Sequence, residues 1–204
     1  MNQKIIALMN HKGGVAKTTS AVYLARAAVL RGFKARVVDT DTQLNAYNWI
    51  SQAAADGDDT GIAAAAATAD TLPAVLQQDC EDDMWTFVDT APTFGREHMT
   101  AAHMADLVVV PVGDSPLDFQ QTWSLVKSLP GKPVKALLSD AEKRTVALRE
   151  TAEGLKEQNI PMFDSVVHKR QDIKTCFKSC PKKLWEYADV FGEIVEFFKT
   201  AETN

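Results

Sequence analysis

Lys4-Ile-Ile-Ala-Leu-Met-Asn-His-Lys-Gly-Gly-Val-Ala-Lys-Thr-Thr19 is the stretch from which the rest of the chain can be read. Its apolar run, Ile5 to Met9, has the length and composition of a short buried strand. Two glycines follow, Gly13 and Gly14, and then Lys17-Thr18-Thr19 open an alanine-rich segment of helical character. Strand, glycine turn, Lys-Thr and helix in that order make a phosphate-binding loop. Each part has a chemical reason. Glycines let the backbone turn its N–H groups inward around phosphate oxygens. The helix N-terminus adds its dipole and unused N–H groups. Lys17 supplies a point charge for the outer phosphates, and the Thr18 hydroxyl can ligate Mg²⁺.

The usual spacing, G-x-x-x-x-G-K-[ST], places glycines at positions 11 and 16, where this chain has His11 and Ala16. A second lysine, Lys12, stands directly before the glycine pair, giving K-G-G-x-x-K-[ST]-[ST], the deviant Walker A motif. In these residues the chain resembles the ParA/MinD family of ATPases. The resemblance implies nucleotide contacts from Lys12, Gly13, Gly14, Val15, Ala16, Lys17, Thr18 and Thr19. It also implies that Lys12 reaches across an ATP-dependent homodimer to the partner's nucleotide.

Outward from the loop, strands and helices alternate. A helix over 18–31 ends at Gly32, a natural stop. A strand over 33–39 follows, then a helix over 43–54, a short edge strand near Ile62 and a helix over 71–79 with Pro73 in its first turn. Met84 to Asp89 is a third strand. Four consecutive apolar residues within 106–111 suit a strand covered on both faces. A helix from Ser115 to Leu129, a strand over 134–138, a polar helix over 143–158 and a weaker strand over 160–167 continue the pattern. Two helices, 170–179 and 183–199, close it on either side of Pro181. This alternation predicts an α/β fold, a single-domain P-loop NTPase over 1–204 with a mostly parallel sheet and helices on both faces.

Three acids end two of these strands: Asp39, Asp41 and Asp89. A phosphate-loop site needs a carboxylate on a neighbouring strand for Mg²⁺ and a group that orients the attacking water. Asp89, in Phe-Val-Asp-Thr-Ala-Pro, reads as the Walker B acid. Asp39-Thr40-Asp41 resembles the family's D-x-D-P-Q motif, with Gln43 kept and Thr42 in place of proline. By that resemblance Asp39 lies near Mg²⁺ and Asp41 positions the lytic water, with Thr18 and Asp89 completing the metal's surroundings. A residue-level alternative makes Asp41 an N-cap. After the strand ending at Leu138, where the family often has Asn or Arg near the base, the chain has Ser139-Asp140.

Composition sets outer bounds. The chain has 204 residues, 46% hydrophobic and 24% charged, with a net charge of −5. It is not a general polyanion binder, and any nucleic-acid site must be a local patch. The segment 169–183 is such a patch, with Lys169, Arg170, Lys174, Lys178, Lys182 and Lys183 against the single acid Asp172. On a helix, Arg170, Lys174 and Lys178 would form one stripe suited to a row of phosphates. Cys80, Cys176 and Cys180 form no disulfide framework and no metal set and are expected as half-buried thiols. No apolar run approaches a membrane span.

Ser115-Pro116-Leu117-Asp118-Phe119 and the short length make the chain similar to the small plasmid-partition ATPases of the ParF type, without an N-terminal DNA-binding extension. The resemblance implies Mg²⁺-dependent ATP hydrolysis, a ParB- or ParG-like adaptor, non-specific DNA binding and a cytoplasmic, nucleoid-associated site of action. A MinD-like membrane regulator and a metabolic P-loop enzyme are the other classes open to this fold. The first requires a basic amphipathic C-terminal helix, and the tail here is acidic.

Overall fold

The computed structural model describes residues 3–78, 83–93, 95–113 and 115–203. Cys80 lies outside the described residues. The elements run β1 (Lys4–Leu8), α1 (Lys17–Leu30), β2 (Lys34–Asp39), α2 (Asn45–Ala55), β3 (Ala63–Ala66), α3 (Leu72–Gln77), β4 (Met84–Asp89), α4 (Arg96–Met104), β5 (Leu107–Val112), α5 (Pro116–Lys127), β6 (Val134–Leu138), α6 (Val146–Glu157), α7 (Gln171–Thr175) and α8 (Tyr187–Thr203). All strand pairs are parallel, in the order β3-β2-β4-β1-β5-β6. The α/β class, the parallel sheet and the helices on both faces are as the alternation predicts.

Side-chain alternation along each strand divides the core in two. Ile6, Leu8, Val37, Phe87 and Val109 face one side, where α1, α2 and α8 cover them. Ala7, Met9, Val38, Val88, Val108 and Val110 face the other, under α3, α4, α5 and α6. Every residue of β4 and β5 is buried, which explains their near-continuous apolar sequences. Helix α1 stops where expected. Gly32 adopts φ +86°, Gly32 N–H donates to Val29 O at 2.9 Å, and Phe33 N–H reaches back to Ala28 O at 3.0 Å.

Three expectations need correction. Residues 160–167 form no strand. They run beside β6 and the turn after it, with one isolated bridge from Met162 to Ala136 in β6 and another, just past the segment, from His168 to Ala141. Between these, the N–H groups of Asp164 and Ser165 donate to the Glu193 carboxylate on α8, at 2.8 and 2.9 Å, so the ladder is interrupted. The helix expected over 170–179 is only Gln171–Thr175, and the last helix begins at Tyr187 instead of 183. Helix α4 was not anticipated. Its buried positions, His98, Ala101 and Ala102, do have helical spacing, and Glu97 sits in its first turn. The edge strand anticipated near Ile62 is β3, four alanines paired with β2.

One buried charge holds the β3–β2 side together. Arg36 on β2 is 5% exposed. Its guanidinium donates to Val75 O at 3.0 Å, Leu76 O at 3.2 Å and Gln78 O at 2.7 Å, satisfying carbonyls at the C-terminal end of α3. Arg36→Met keeps the stem and orphans these carbonyls. It is expected to lower the unfolding free energy by about 2 kcal/mol. Urea denaturation checks this, and an unchanged midpoint would show that α3 does not depend on Arg36.

Candidate nucleotide site

The register of β1, β4 and β2 places Leu8, Asp89 and Asp39 side by side at the carboxyl edge of the sheet. The loops after these strands therefore emerge together, where open parallel sheets bind ligands. Threonines lock them at the edge. Thr40 Oγ1 donates to Asp89 O and Thr90 Oγ1 to Leu8 O, each at 2.9 Å. Buried Asn10 spans the neighbouring gap: its Nδ2 donates to Pro111 O at 2.7 Å and its Oδ1 accepts from Lys12 N–H at 3.1 Å. Ser139 Oγ donates to Val15 O at 3.1 Å and anchors the far side of the loop.

The phosphate loop turns as its glycines allow. Gly14 has φ +79°, a conformation that strains any residue with a Cβ. At Ala16, where the usual pattern has glycine, the backbone is left-handed, with φ 65° and ψ 29°. Alanine here carries strain of about 1 kcal/mol that glycine would not. Lys17 is 7% exposed and its Nζ donates to Lys12 O at 2.8 Å. Burial lowers the Lys17 amine below its ordinary value, and the charges of Asp89 and Asp41 pull it partly back.

A cavity of about 590 Å³ opens over this loop. At one end stand Gly13, Gly14, Ala16, Lys17, Thr18 and Thr19, facing Asp41 and the 90–93 turn. Thr18 Oγ1 donates to Asp89 Oδ2 at 2.6 Å. The other oxygen, Asp89 Oδ1, is buried and has no hydrogen-bond partner among the described residues. Burial pushes the Asp89 carboxyl up to about 7, with the adjacent Asp39 adding to the rise and the Thr18 hydroxyl opposing it. A carboxylate with an orphaned oxygen beside a threonine hydroxyl fits a hard divalent cation, which takes oxygen ligands and offsets the burial cost.

A family profile described as an AAA domain matches residues 3–84. "Maintenance of carboxysome distribution protein A" of Gloeobacter kilaueensis is 31% identical over 172 residues, 80% of this chain and 76% of the relative. The chain belongs to the ParA/MinD family of positioning ATPases. Among solved structures, a plasmid partition protein of Borrelia burgdorferi B31 bound to AMPPNP superposes with a TM-score of 0.75 at 16% identity, covering 96% of this chain and 99% of that one. Cobyrinic acid a,c-diamide synthase of Mycobacterium smegmatis, with bound ATP analogue and magnesium, gives 0.74 at 19% identity, covering 98% and 97%. These two likenesses show the fold.

Against that family's pattern, Lys17, Thr18 and Asp41 come together at the cavity, with Asp89 behind Thr18. Asp41 is half-exposed, and its Oδ1 accepts from Gln43 N–H at 3.0 Å. It is not an N-cap, since Leu44 caps α2. Lys12 does not line the cavity. Asp39, implied near the metal, stands beside Asp89 with both of its oxygens engaged by backbone. Fully buried, it accepts from Asp41 N–H at 3.0 Å through Oδ1, and from Ala46 and Tyr47 N–H at 2.8 and 3.1 Å through Oδ2. It is a positioning residue for the Asp41 turn and the start of α2.

The basic stripe over 170–178 is not formed. Arg170 precedes α7 in extended conformation, and Lys178 lies beyond it at φ 67°. Arg170 also has another partner. Its two terminal nitrogens meet the Glu186 oxygens at 2.5 and 2.6 Å, and its guanidinium stacks on Trp185. Burial would raise the Glu186 carboxyl, but Arg170 overrides it and holds it below its ordinary value. Lys174 lines the cavity and lies 4.0 Å from Asp140.

Sequence reasoning missed Asn10 and Tyr187, whose hydroxyl meets Ser20 Oγ at 3.0 Å beneath the cavity, and it noted Ser139 without its bond to the phosphate loop. It also missed His98, buried under His11 with ring centroids 6.0 Å apart. Burial first, then the charges of His11 and Lys17, lower His98 to about 4, so it is neutral at pH 7.

Asp89 makes the ligand-free protein pH-sensitive in a definite direction. Unfolded, its carboxyl ionises near 3.8, and folded near about 7. Between those values the folded state keeps a proton that the unfolded state has lost, so stability falls as pH rises. Asp89→Asn removes this liability. It is expected to raise stability at pH 8 by on the order of 4 kcal/mol, with no gain near pH 3.5. Thermal unfolding of the ligand-free protein at both pH values checks this, and an equal shift at both would rule out the carboxylate's ionisation as the cause.

Proposed function

We propose that the protein is a Mg²⁺-dependent ATPase that dimerises on ATP and positions a cargo through an adaptor protein while moving over non-specific DNA. The observation that supports it best is the pair of lysines in one loop. Lys17 is buried at the phosphate end of the cavity, whereas Lys12 lies outside the cavity lining. A second lysine directly before the glycine pair suits charge neutralisation on a partner's nucleotide, like an arginine finger supplied in trans. A metabolic P-loop enzyme has no use for a lysine placed this way. A MinD-like membrane role is disfavoured because the apolar side of α8 (Tyr187, Val190, Phe191, Ile194 and Phe198) is already buried in the core. No helix among the described residues is long and apolar enough to cross a membrane.

In this reading Gly13, Gly14, Val15, Ala16, Lys17, Thr18 and Thr19 wrap the phosphates. Mg²⁺, when bound, neutralises charge on the outer phosphates, and Thr18 and Asp89 would hold it. Lys17 leaves Lys12 O for the phosphates. Asp41, on a turn fixed by Asp39, orients the attacking water. The cargo is a plasmid, a chromosome or a protein compartment, and the carboxysome-distribution relative is what brings the compartment into the proposal.

DNA contact is assigned to exposed Lys178 and Lys183, beside exposed Phe177, flanked by Lys169, which pairs with Glu142 at 2.9 Å, and Lys182, which lies 3.4 Å from Asp58. Arg170 is left to its ion pair. Dimerisation would double the patch and link DNA affinity to nucleotide state.

Lys17→Ala is expected to lose nucleotide binding. Asp41→Ala should bind ATP normally and hydrolyse it at least about a hundredfold more slowly. A phosphate-release assay alongside equilibrium nucleotide binding separates the two, and normal turnover by Asp41→Ala removes its assigned role.

Light scattering should find a monomer with ADP and a dimer with ATP, and no dimer for Lys12→Ala. Dimerisation and hydrolysis at wild-type levels in that variant would sink the trans role.

Lys178→Glu with Lys183→Glu should weaken plasmid DNA binding by the ATP form at least about tenfold, and binding should fall steeply with salt. Affinity unchanged in a fluorescence titration, with ATPase intact, takes this face out of the mechanism.

A further inference from the structure

Cys176 and Cys180, which take no part in the nucleotide site, line one cavity of about 310 Å³ together with Tyr23, Asp58, Lys182 and Trp185. Both are free thiols, Cys176 half-buried and Cys180 6% exposed. The chain between them folds back on itself. Ser179 N–H donates to Cys176 O at 2.9 Å and closes a β-turn, with Lys178 left-handed inside it at φ 67°. The Cys176 sulfur is folded over that turn. It lies 3.7 Å from Ser179 Oγ, and 3.7 Å from Ser179 O on the peptide group that joins Ser179 to Cys180. The two thiols also feel each other. Burial raises the Cys180 thiol above its ordinary value, with Asp58 and Cys176 adding to the rise and Arg26 opposing it.

The two ends of this turn are held unequally. Cys180 N–H donates to Asp58 Oδ2 at 2.8 Å, and the neighbouring Ser179 O accepts from Trp49 Nε1 at 2.7 Å. Cys176 instead follows α7, a helix of five residues with none of them buried. Its bonds are long, Lys174 N–H to Arg170 O and Cys176 N–H to Ile173 O each at 3.4 Å. An element with so little buried surface is easily displaced. Yet Ile173 and Lys174 of α7 form part of the nucleotide cavity's wall, so a movement of Cys176 is a movement of that wall.

We propose that Cys176 and Cys180 are a redox-modification site: hydrogen peroxide joins them in an intrachain disulfide, which draws α7 out of place and weakens nucleotide binding. The switch rests on the nucleotide reading above, whereas the disulfide does not. Half-buried Cys176 is the sulfur that a small oxidant reaches first. Its thiolate attacks one peroxide oxygen and the O–O bond breaks. Cys176 becomes a sulfenic acid, and the other oxygen takes up a proton and leaves as water. The Cys180 sulfur, giving up its proton, then attacks the Cys176 sulfur. The S–S bond forms, the S–O bond breaks, and a second water leaves. Two thiols have lost two electrons and two protons, and one peroxide has become two waters. A thiol reductant reverses the bond by exchange. To make it, the Cys176 sulfur must turn from Ser179 toward Cys180. Because Cys180 is the pinned end, the adjustment falls on Cys176 and α7.

The test uses the full chain with Cys80→Ser, so that these are the only two thiols left. It is compared reduced, treated with hydrogen peroxide, and reduced again with dithiothreitol. Trypsin cuts after Lys178, so the disulfide joins two peptides, Thr175–Lys178 and Ser179–Lys182. Expected on oxidation are the joined peptides, from a chain that stays single on a non-reducing gel. Affinity for fluorescent ATP with Mg²⁺ should fall at least about fivefold and return on reduction. Cys176→Ser in the same background should show neither change. No joined peptides, or a disulfide between two chains in their place, overturns the site. Joined peptides with ATP affinity unchanged, or an equal loss of affinity in Cys176→Ser, overturns the switch. If the reduced protein binds no ATP, the nucleotide reading falls and the switch with it, and the joined peptides alone decide the site.

Discussion

The site depends on the register in which β2, β4 and β1 pair. That register brings Asp39 and Asp89 to adjacent positions on neighbouring strands, both buried, beside the end of β1. Two carboxylates so close cannot both ionise cheaply out of water, and each is raised above its ordinary value. The chain resolves the conflict by giving them different partners. Asp39 receives three backbone N–H groups, while Asp89 receives one hydroxyl and keeps an orphaned oxygen. One acid is thereby turned into scaffold, and the other is left as a place where positive charge is welcome.

The same division runs through the lysines and threonines. Lys17 is satisfied by a carbonyl of its own loop, and Thr18 by Asp89, so the loop keeps its shape with its polar groups internally paired. Thr40, Thr90, Asn10 and Ser139 spend their side chains on backbone atoms of neighbouring segments. They fix the strand ends against one another, so groups drawn from five separate stretches keep their spacing.

Much of this was legible in the sequence because it is local. The strand–loop–helix around Lys17, the acids at two strand ends and the apolar runs of β4 and β5 are each written in a few consecutive residues. What was illegible depends on distant partners. The spacing of Arg170, Lys174 and Lys178 has a helical period, yet Arg170 is claimed by Glu186 and the helix closes before Lys178. Residues 160–167 have strand composition, yet Glu193 takes two of their N–H groups. Asp39 looks like a ligand until the start of α2 is seen to end on it. Ala16 reads as a departure from a glycine pattern, and only the backbone shows that the position still demands a left-handed residue. Helix α4 could have been found from the spacing of His98, Ala101 and Ala102, had its polar composition not obscured that stripe.

The bond between Ser20 and Tyr187 joins residues 167 positions apart. Helix α8, which starts at Tyr187, supplies much of the cover for one face of the sheet. During synthesis the phosphate loop therefore leaves the ribosome long before its own floor. β1 must wait first for β4 and β5, its neighbours on either side, and then for the last helix. Domains rich in such distant pairings fold slowly and expose apolar surface in the interval. The loop that dominates the sequence is thus among the last parts of the molecule to become a site, and a nascent chain cannot engage its ligand before nearly all of it has been made.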